Sequence, residues 1–99
     1  MRLPALVTVF LLAIPAAAAD FAADVEPIFH ERCYVCHGSA NQMSGFRLDQ
    51  REAALKGGYS GVVITPGDSG ASKLVQRISS DKANFKMPPA GPALDDVAQ

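Results

Sequence analysis

The chain has 99 residues, which is enough for one small domain at most. Ten acidic and nine basic side chains leave a net charge of −1, and this balance argues against a nucleic-acid partner, which would favour a basic face. The two cysteines are too few for a multi-disulfide scaffold or for a four-thiolate zinc site.

Residues 1–19 are predicted to be a secretory signal peptide. Arg2 supplies a positive start, Ala5–Ile14 is almost wholly apolar, and the alanines before Asp20 fit an A-x-A cleavage site. The apolar run is shorter than the roughly 20 residues that a membrane-spanning helix needs, so we expect cleavage and no stable membrane span afterwards. Residues 20–99 then form one domain that is periplasmic or otherwise exported, in an oxidising compartment.

The first predicted helix of the mature chain leads into the first cysteine. Asp24 is the expected cap, and Pro27 is tolerated in the first turn because the N–H groups there have no partner within the helix. Ile28 and Phe29 belong to one apolar face, and the helix runs into Cys33. The polar, glycine-containing stretch 38–46 is predicted to be a loop.

A second helix is predicted from Asp49 to Lys56. Asp49 is the expected cap, Glu52 completes a capping box, and the glycines at 57–58 end the helix. Residues 62–64 are three β-branched residues in a row and predict a short extended segment.

A third helix is predicted to begin at Ser69 or Ser72, with its apolar stripe ending near Ile78. Residues 80–93 are rich in proline and predict a loop. Asp95 has the character of a cap for one more helix, of which we expect only an incomplete first turn.

The chemistry of the chain is predicted to lie in Cys33-Tyr34-Val35-Cys36-His37. This C-x-x-C-H pattern is the attachment motif of c-type haem. Two thiols on one turn of chain can each add to a vinyl group on one edge of the porphyrin, and the adjacent imidazole then faces the iron. The motif uses both cysteines and follows a signal for export.

Three other interpretations of the two cysteines remain open at this point. They could form a redox-active disulfide, although the βαβ pattern of thioredoxin-like proteins is absent. Cys33, Cys36, His37 and His30 could nominally bind zinc, although they lack the usual separation of ligand pairs. A structural disulfide beside a coincidental histidine is the third possibility.

Met87 is the predicted second axial ligand of the iron. It lies in a proline-rich segment that stiffens the backbone, and methionine ligation raises the reduction potential of a haem. The alternative is that Met87 only fills a gap in the core. Met43 is a weaker candidate because its loop is short, and His30 is predicted to be a surface residue.

Apolar residues from all three helices and from the proline-rich loop are expected to pack around the cofactor and form the core. They are Ile28, Phe29, Leu48, Leu55, Leu74, Val75, Ile78 and Phe85. Arg47, Arg51 and Tyr59 are candidates for contacts with the haem propionates, with simple exposure or packing as the alternative.

The chain resembles the class I cytochrome c domain, and most of all the Planctomycete-type cytochrome c domain. The matching segments lie in order along residues 25–89: VEPIF, the C-x-x-C-H motif with Gly38, GFRLD, the glycine pair, ITPGD, SKLV and MPP. This ordered series is more specific than the haem motif, which unrelated cytochromes share.

The resemblance implies an all-α, cytochrome c-like fold around haem c held by Cys33 and Cys36, with His37 and Met87 as axial ligands. In that fold a closing helix packs across the first helix, and here we expect it to be incomplete. The resemblance also implies that such domains often begin longer exported proteins.

The favoured function is electron transfer to and from an unidentified redox partner protein, without catalysis in the domain. Two axial ligands leave no open site for a substrate. The alternative is the haem module of a larger multidomain oxidoreductase, with catalysis in a downstream domain. A third possibility is a sensor in which a gas displaces Met87.

Overall fold

The computed structural model describes residues 2–12 and 18–95. Its regular elements in chain order are a π-helical turn Phe21–Val25, α1 Glu26–Arg32, a 3₁₀ turn Met43–Gly45, α2 Arg51–Lys56 and α3 Lys73–Ile78. Within the described ranges all regular structure is helical, and extended segments meet only in isolated bridges. The all-α prediction is confirmed in this sense, and long connections join short helices.

The first helix begins earlier than predicted, and its cap is Asp20 rather than Asp24. The carboxylate of Asp20 accepts a 2.9 Å hydrogen bond from the backbone N–H of Ala23, while that of Asp24 accepts one from the N–H of Asp20. The extra π-helical turn allows Phe21 to lie edge-on to Phe29, at 6.0 Å between ring centroids. The proline near the start of α1 is accommodated as predicted.

The second helix starts at Arg51 without a side-chain cap, so the predicted capping role of Asp49 is wrong. The carboxylate of Asp49 instead accepts two hydrogen bonds from the guanidinium of Arg47, at 2.7 and 2.5 Å. The predicted glycine stop is confirmed at Gly57, which adopts φ of 91°. A side chain there would collide with the carbonyl oxygen of Gly61, 2.1 Å from the Cβ position.

The third helix begins after Ser72, the second of the two predicted starts. Ser72 is buried, and its hydroxyl accepts a 2.9 Å hydrogen bond from the N–H of Thr65 and lies 2.9 Å from the carbonyl of Asp68. The residue therefore fastens the 65–68 turn to the start of α3. Residues 62–64, predicted to be extended, have no regular structure and belong to no strand.

The buried core lies between the loop after the cysteine motif and α2. Phe46, Leu48 and Ala54 form it, and the side chains of α1 and of residues 63–64 pack against them. Leu48 was predicted as core and is only 4% exposed. Leu55 was also predicted to pack inside, but it is 36% exposed because α2 turns Ala54, one residue earlier, toward the core.

Residues 92–94 lie close to α1. The guanidinium of Arg32 donates a hydrogen bond to the carbonyl of Pro92, and Leu94 is buried. The helix predicted to start at Asp95 falls on residues 96–99, which lie outside the described part of the chain.

Residues 2–12 have no regular structure, and their large apolar side chains are exposed. The predicted cleavage region lies partly in residues 13–17, outside the described ranges. Among the residues that the structure does describe, no helix is both long and apolar enough to cross a membrane.

Candidate cofactor site

One apolar cleft brings together the residues to which the sequence assigned chemistry. Cys33, Cys36 and His37 line it from the loop after α1, and Met87 lines it from the proline-rich segment. The cleft is partly open to solvent, and its lining is mostly apolar. Residues 50 positions apart in sequence therefore share one cavity.

Backbone hydrogen bonds hold the cysteine motif in a compact turn. The N–H of His37 bonds to the carbonyl of Cys33 at 2.9 Å, so the motif continues the helical path for one turn beyond α1. The carbonyl of Cys36 accepts from the N–H of Met43 at 2.9 Å, and an isolated bridge joins His37 to Gln42. The loop thus folds back against the motif and holds its backbone in place.

The imidazole of His37 is oriented by Phe46. Its Nδ1 lies 3.1 Å from the carbonyl oxygen of Phe46, and the two rings meet edge to face at 5.3 Å. Because a carbonyl only accepts hydrogen bonds, Nδ1 is the donor, and Nε2 keeps its lone pair. A histidine held in this way has the tautomer and the orientation that a metal ligand needs.

The two cysteines are half-buried free thiols in this structure. Burial raises the pKa of the Cys33 thiol; the positive charge of Arg32 partly opposes this, and Cys36 adds to it. No disulfide joins the pair. The zinc alternative is also unsupported, since no three His, Cys, Asp or Glu side chains within the described ranges form a group that could hold a metal ion.

Both methionine candidates line the cleft, but they belong to different walls. Met43 is 58% exposed and hydrogen-bonds through its backbone to the cysteine motif, so it lies on the same loop as His37. Met87 is half-buried, and its N–H bonds to the carbonyl of Arg77 at 3.0 Å, which attaches it to the end of α3. Only Met87 therefore approaches the cleft from an element other than the loop of the histidine.

The charged residues on the cleft wall are all basic: Arg32, Lys73 and Arg77. The residues predicted to meet the propionates are elsewhere. Arg47 is engaged with Asp49, which holds the pKa of that carboxyl below its usual range mainly through the hydrogen bond. Arg51 and Tyr59 are exposed and do not line the cleft. The structure does not support those three assignments.

His30 is exposed, as predicted, and lies edge-on to Tyr34 at 5.7 Å between ring centroids. It does not contribute to the cleft. Of the predicted apolar wall, Leu48, Leu74 and Ile78 line the cavity, and Phe29 packs against the core behind it.

Sequence reasoning missed two residues that shape the site. Phe46 supplies the carbonyl for His37, and Arg77 contacts the segment that carries Met87. Phe46 belongs to the GFRLD segment that carried the family resemblance, but this pattern did not predict that its carbonyl accepts a hydrogen bond from His37. Nothing in the sequence pattern distinguished Arg77 from any other basic residue of a helix.

A small helical domain with two thiols, an oriented imidazole and a thioether around one apolar cleft has the donor set of a c-type cytochrome domain. The sequence profile of Planctomycete cytochrome C matches residues 33–91, and the chain belongs to that family. Its cofactor is accordingly covalently bound haem c, with iron. Searches among curated proteins and among solved structures found no significant match.

Proposed function

We propose that the domain transfers single electrons through a haem c attached to Cys33 and Cys36, with His37 and Met87 as axial ligands. The convergence of these four side chains on one cleft is the observation that carries the proposal. When bound, the haem supplies an iron that gains and loses one electron. The membership of the chain in a cytochrome c family supports an electron-transfer role.

The protein's own residues provide attachment, ligation and shielding. Each thiol would add across one vinyl group, so that the sulfur forms a bond to carbon without any need for an oxidant. His37 presents Nε2 because its Nδ1 is bound to the Phe46 carbonyl. Met87 offers a soft thioether, which favours the reduced state and raises the potential.

The apolar walls of the cleft would limit the access of water to the ligands. Leu48, Leu74 and Ile78 contribute to this lining. A dry environment disfavours the more highly charged oxidised site and so also raises the potential. Ligation of the iron by both His37 and Met87 would leave no coordination site for a substrate, so we place no catalysis in this domain.

We further propose that residues 1–19 direct export and are then removed, so that residues 20–99 work outside the cytoplasm with a redox partner protein. Cytochrome c domains of this type are typically exported, which supports the proposal. The thiols of Cys33 and Cys36 would be consumed by haem attachment and would not persist as a disulfide.

The attachment is tested by a haem-stained denaturing gel of exported protein. The full chain should retain stain, each of Cys33→Ala and Cys36→Ala should lose most of it, and the double variant should lose all of it. Absence of covalent haem from the parent protein would overturn the proposal.

The sixth ligand is tested by a matched pair of variants, Met87→Ala and Met43→Ala, because both side chains line the cleft. Met87→Ala should lose the absorption band of methionine-ligated ferric haem and should bind carbon monoxide when reduced. Met43→Ala should keep the band and resist carbon monoxide. The reverse pattern would assign the ligand to Met43, and ready carbon monoxide binding by the parent would favour a sensor.

A further inference from the structure

The geometry points to Arg77 as a positioning residue that holds the segment carrying Met87 against α3. This inference rests on the proposed ligation by Met87. It adds a residue that neither the haem motif nor the proposed ligand set includes, and it concerns how firmly the ligand is held rather than which ligand it is.

Arg77 contacts the segment at three points. Its backbone carbonyl accepts the N–H of Met87 at 3.0 Å. Its guanidinium Nη1 donates to the carbonyl of Phe85 at 3.1 Å, and its Cζ lies 4.2 Å from the centroid of the Phe85 ring. Arg77, in the last turn of α3, thus contacts both Met87 and Phe85.

Local backbone hydrogen bonds close the turn that precedes Met87. The N–H groups of Phe85 and Lys86 both bond to the carbonyl of Lys82, so these bonds shape the turn without connecting it to a helix. The side chain of Arg77 therefore links this turn to α3 in addition to the backbone bond between Arg77 and Met87. Because Arg77 also lines the cleft, its side chain lies at the site itself.

An arginine is needed for this arrangement. Its planar guanidinium can donate to a carbonyl while its face lies over an aromatic ring, whereas a lysine ammonium is a compact, strongly hydrated charge. Arg77→Lys keeps the charge and the backbone carbonyl but loses the planar contacts. Phe85→Leu removes the stacking partner and leaves the carbonyl acceptor in place.

The test uses the haem-loaded protein and asks how easily cyanide displaces the methionine from ferric iron. Arg77→Lys should bind cyanide roughly tenfold more tightly, since a guanidinium hydrogen bond and a cation–π contact no longer restrain the competing ligand. Phe85→Leu should bind it a few-fold more tightly. Arg51→Lys is the matched control, because Arg51 is exposed and lies outside the cleft, and it should match the parent.

Urea unfolding of the same variants separates positioning from general stability. If Arg77→Lys lowers stability but leaves cyanide affinity and the methionine absorption band unchanged, Arg77 is only structural and the inference is wrong. Equal effects of Arg77→Lys and Arg51→Lys on cyanide affinity would also overturn it.

Failure of the proposed function would look different. A parent protein without the methionine absorption band, or one whose band survives Met87→Ala, would refute ligation by Met87 itself. A parent whose band is lost in Met87→Ala, together with a cyanide affinity that is unchanged in Arg77→Lys, refutes the positioning role alone.

Discussion

Leu48→Ala is expected to be a costly truncation in the core beside the cleft. Leu48 is 4% exposed and packs with Phe46 and Ala54, while its backbone N–H bonds to the carbonyl of His37 at 2.8 Å. The side chain thus supports the strip of chain on which the proposed iron ligand lies. Truncation leaves that backbone bond intact and removes only the packing.

The magnitude follows from the three carbons that are lost. At about 0.8 kcal/mol for each buried CH₂-sized group, transfer to water accounts for roughly 2.4 kcal/mol. The cavity left behind raises the expected loss in free energy of unfolding to about 3 kcal/mol. A domain of this size has a total stability of only about 4–12 kcal/mol, so the loss is a large share of it.

Urea unfolding of the haem-loaded protein, followed by circular dichroism and by haem absorption, measures this loss. With a slope of about 1 kcal/mol per molar urea for a small domain, the midpoint should fall by about 3 M. Leu55→Ala is the matched control, because it makes the same chemical change at a side chain that is 36% exposed, in a helix that favours alanine. It should cost about half as much or less. Equal losses for the two variants would refute the packing argument.

Three further changes test other parts of the fold. Ser72→Ala leaves the half-buried N–H of Thr65 without its acceptor and should cost about 1 kcal/mol in urea unfolding, whereas Ser69→Ala, at an exposed site, should cost little. The pKa of Asp49 is lowered in the folded state by its arginine partner, so the pair stabilises the protein above the unfolded pKa of about 4 and this contribution is lost as pH falls further. The melting temperature of the parent should therefore fall more steeply than that of Asp49→Asn below about pH 4, and parallel curves would contradict this. Gly57→Ala and Gly67→Ala both place a side chain at positive φ, but only Gly57 also faces a carbonyl 2.1 Å from the new Cβ, so its variant should melt clearly lower than that of Gly67.

The parts of the fold that depend on short-range signals were predictable. The C-x-x-C-H motif and the glycine that ends α2 both follow from neighbouring residues. The start of α3 could be narrowed to two serines, and the choice of Ser72 depends on a hydroxyl that reaches back to Thr65 and Asp68. Capping preferences alone could not predict these tertiary contacts, so they could not distinguish Ser72 from Ser69.

The two errors in helix capping share a physical cause, which is competition for a polar side chain. Asp24 and Asp49 both have good capping chemistry, but each has another partner in the structure: the N–H of Asp20 in one case and the guanidinium of Arg47 in the other. A cap contributes about 1 kcal/mol, so a two-point hydrogen bond from an arginine can outweigh it. Sequence pattern identifies the capable residues, and the tertiary structure decides between their possible partners.

The two walls of the cleft show the same limit most clearly. The wall with Cys33, Cys36 and His37 is held by backbone hydrogen bonds within residues 33–48. Its chemistry could be predicted from the five consecutive residues of the C-x-x-C-H motif. The wall with Met87 depends on contacts made across eight to ten residues of irregular chain by Arg77, a residue that has no motif. The sequence can therefore identify Met87 as a candidate ligand. The contacts that would restrain it come from the end of α3 and from the guanidinium of Arg77, and only the folded chain places these next to Met87.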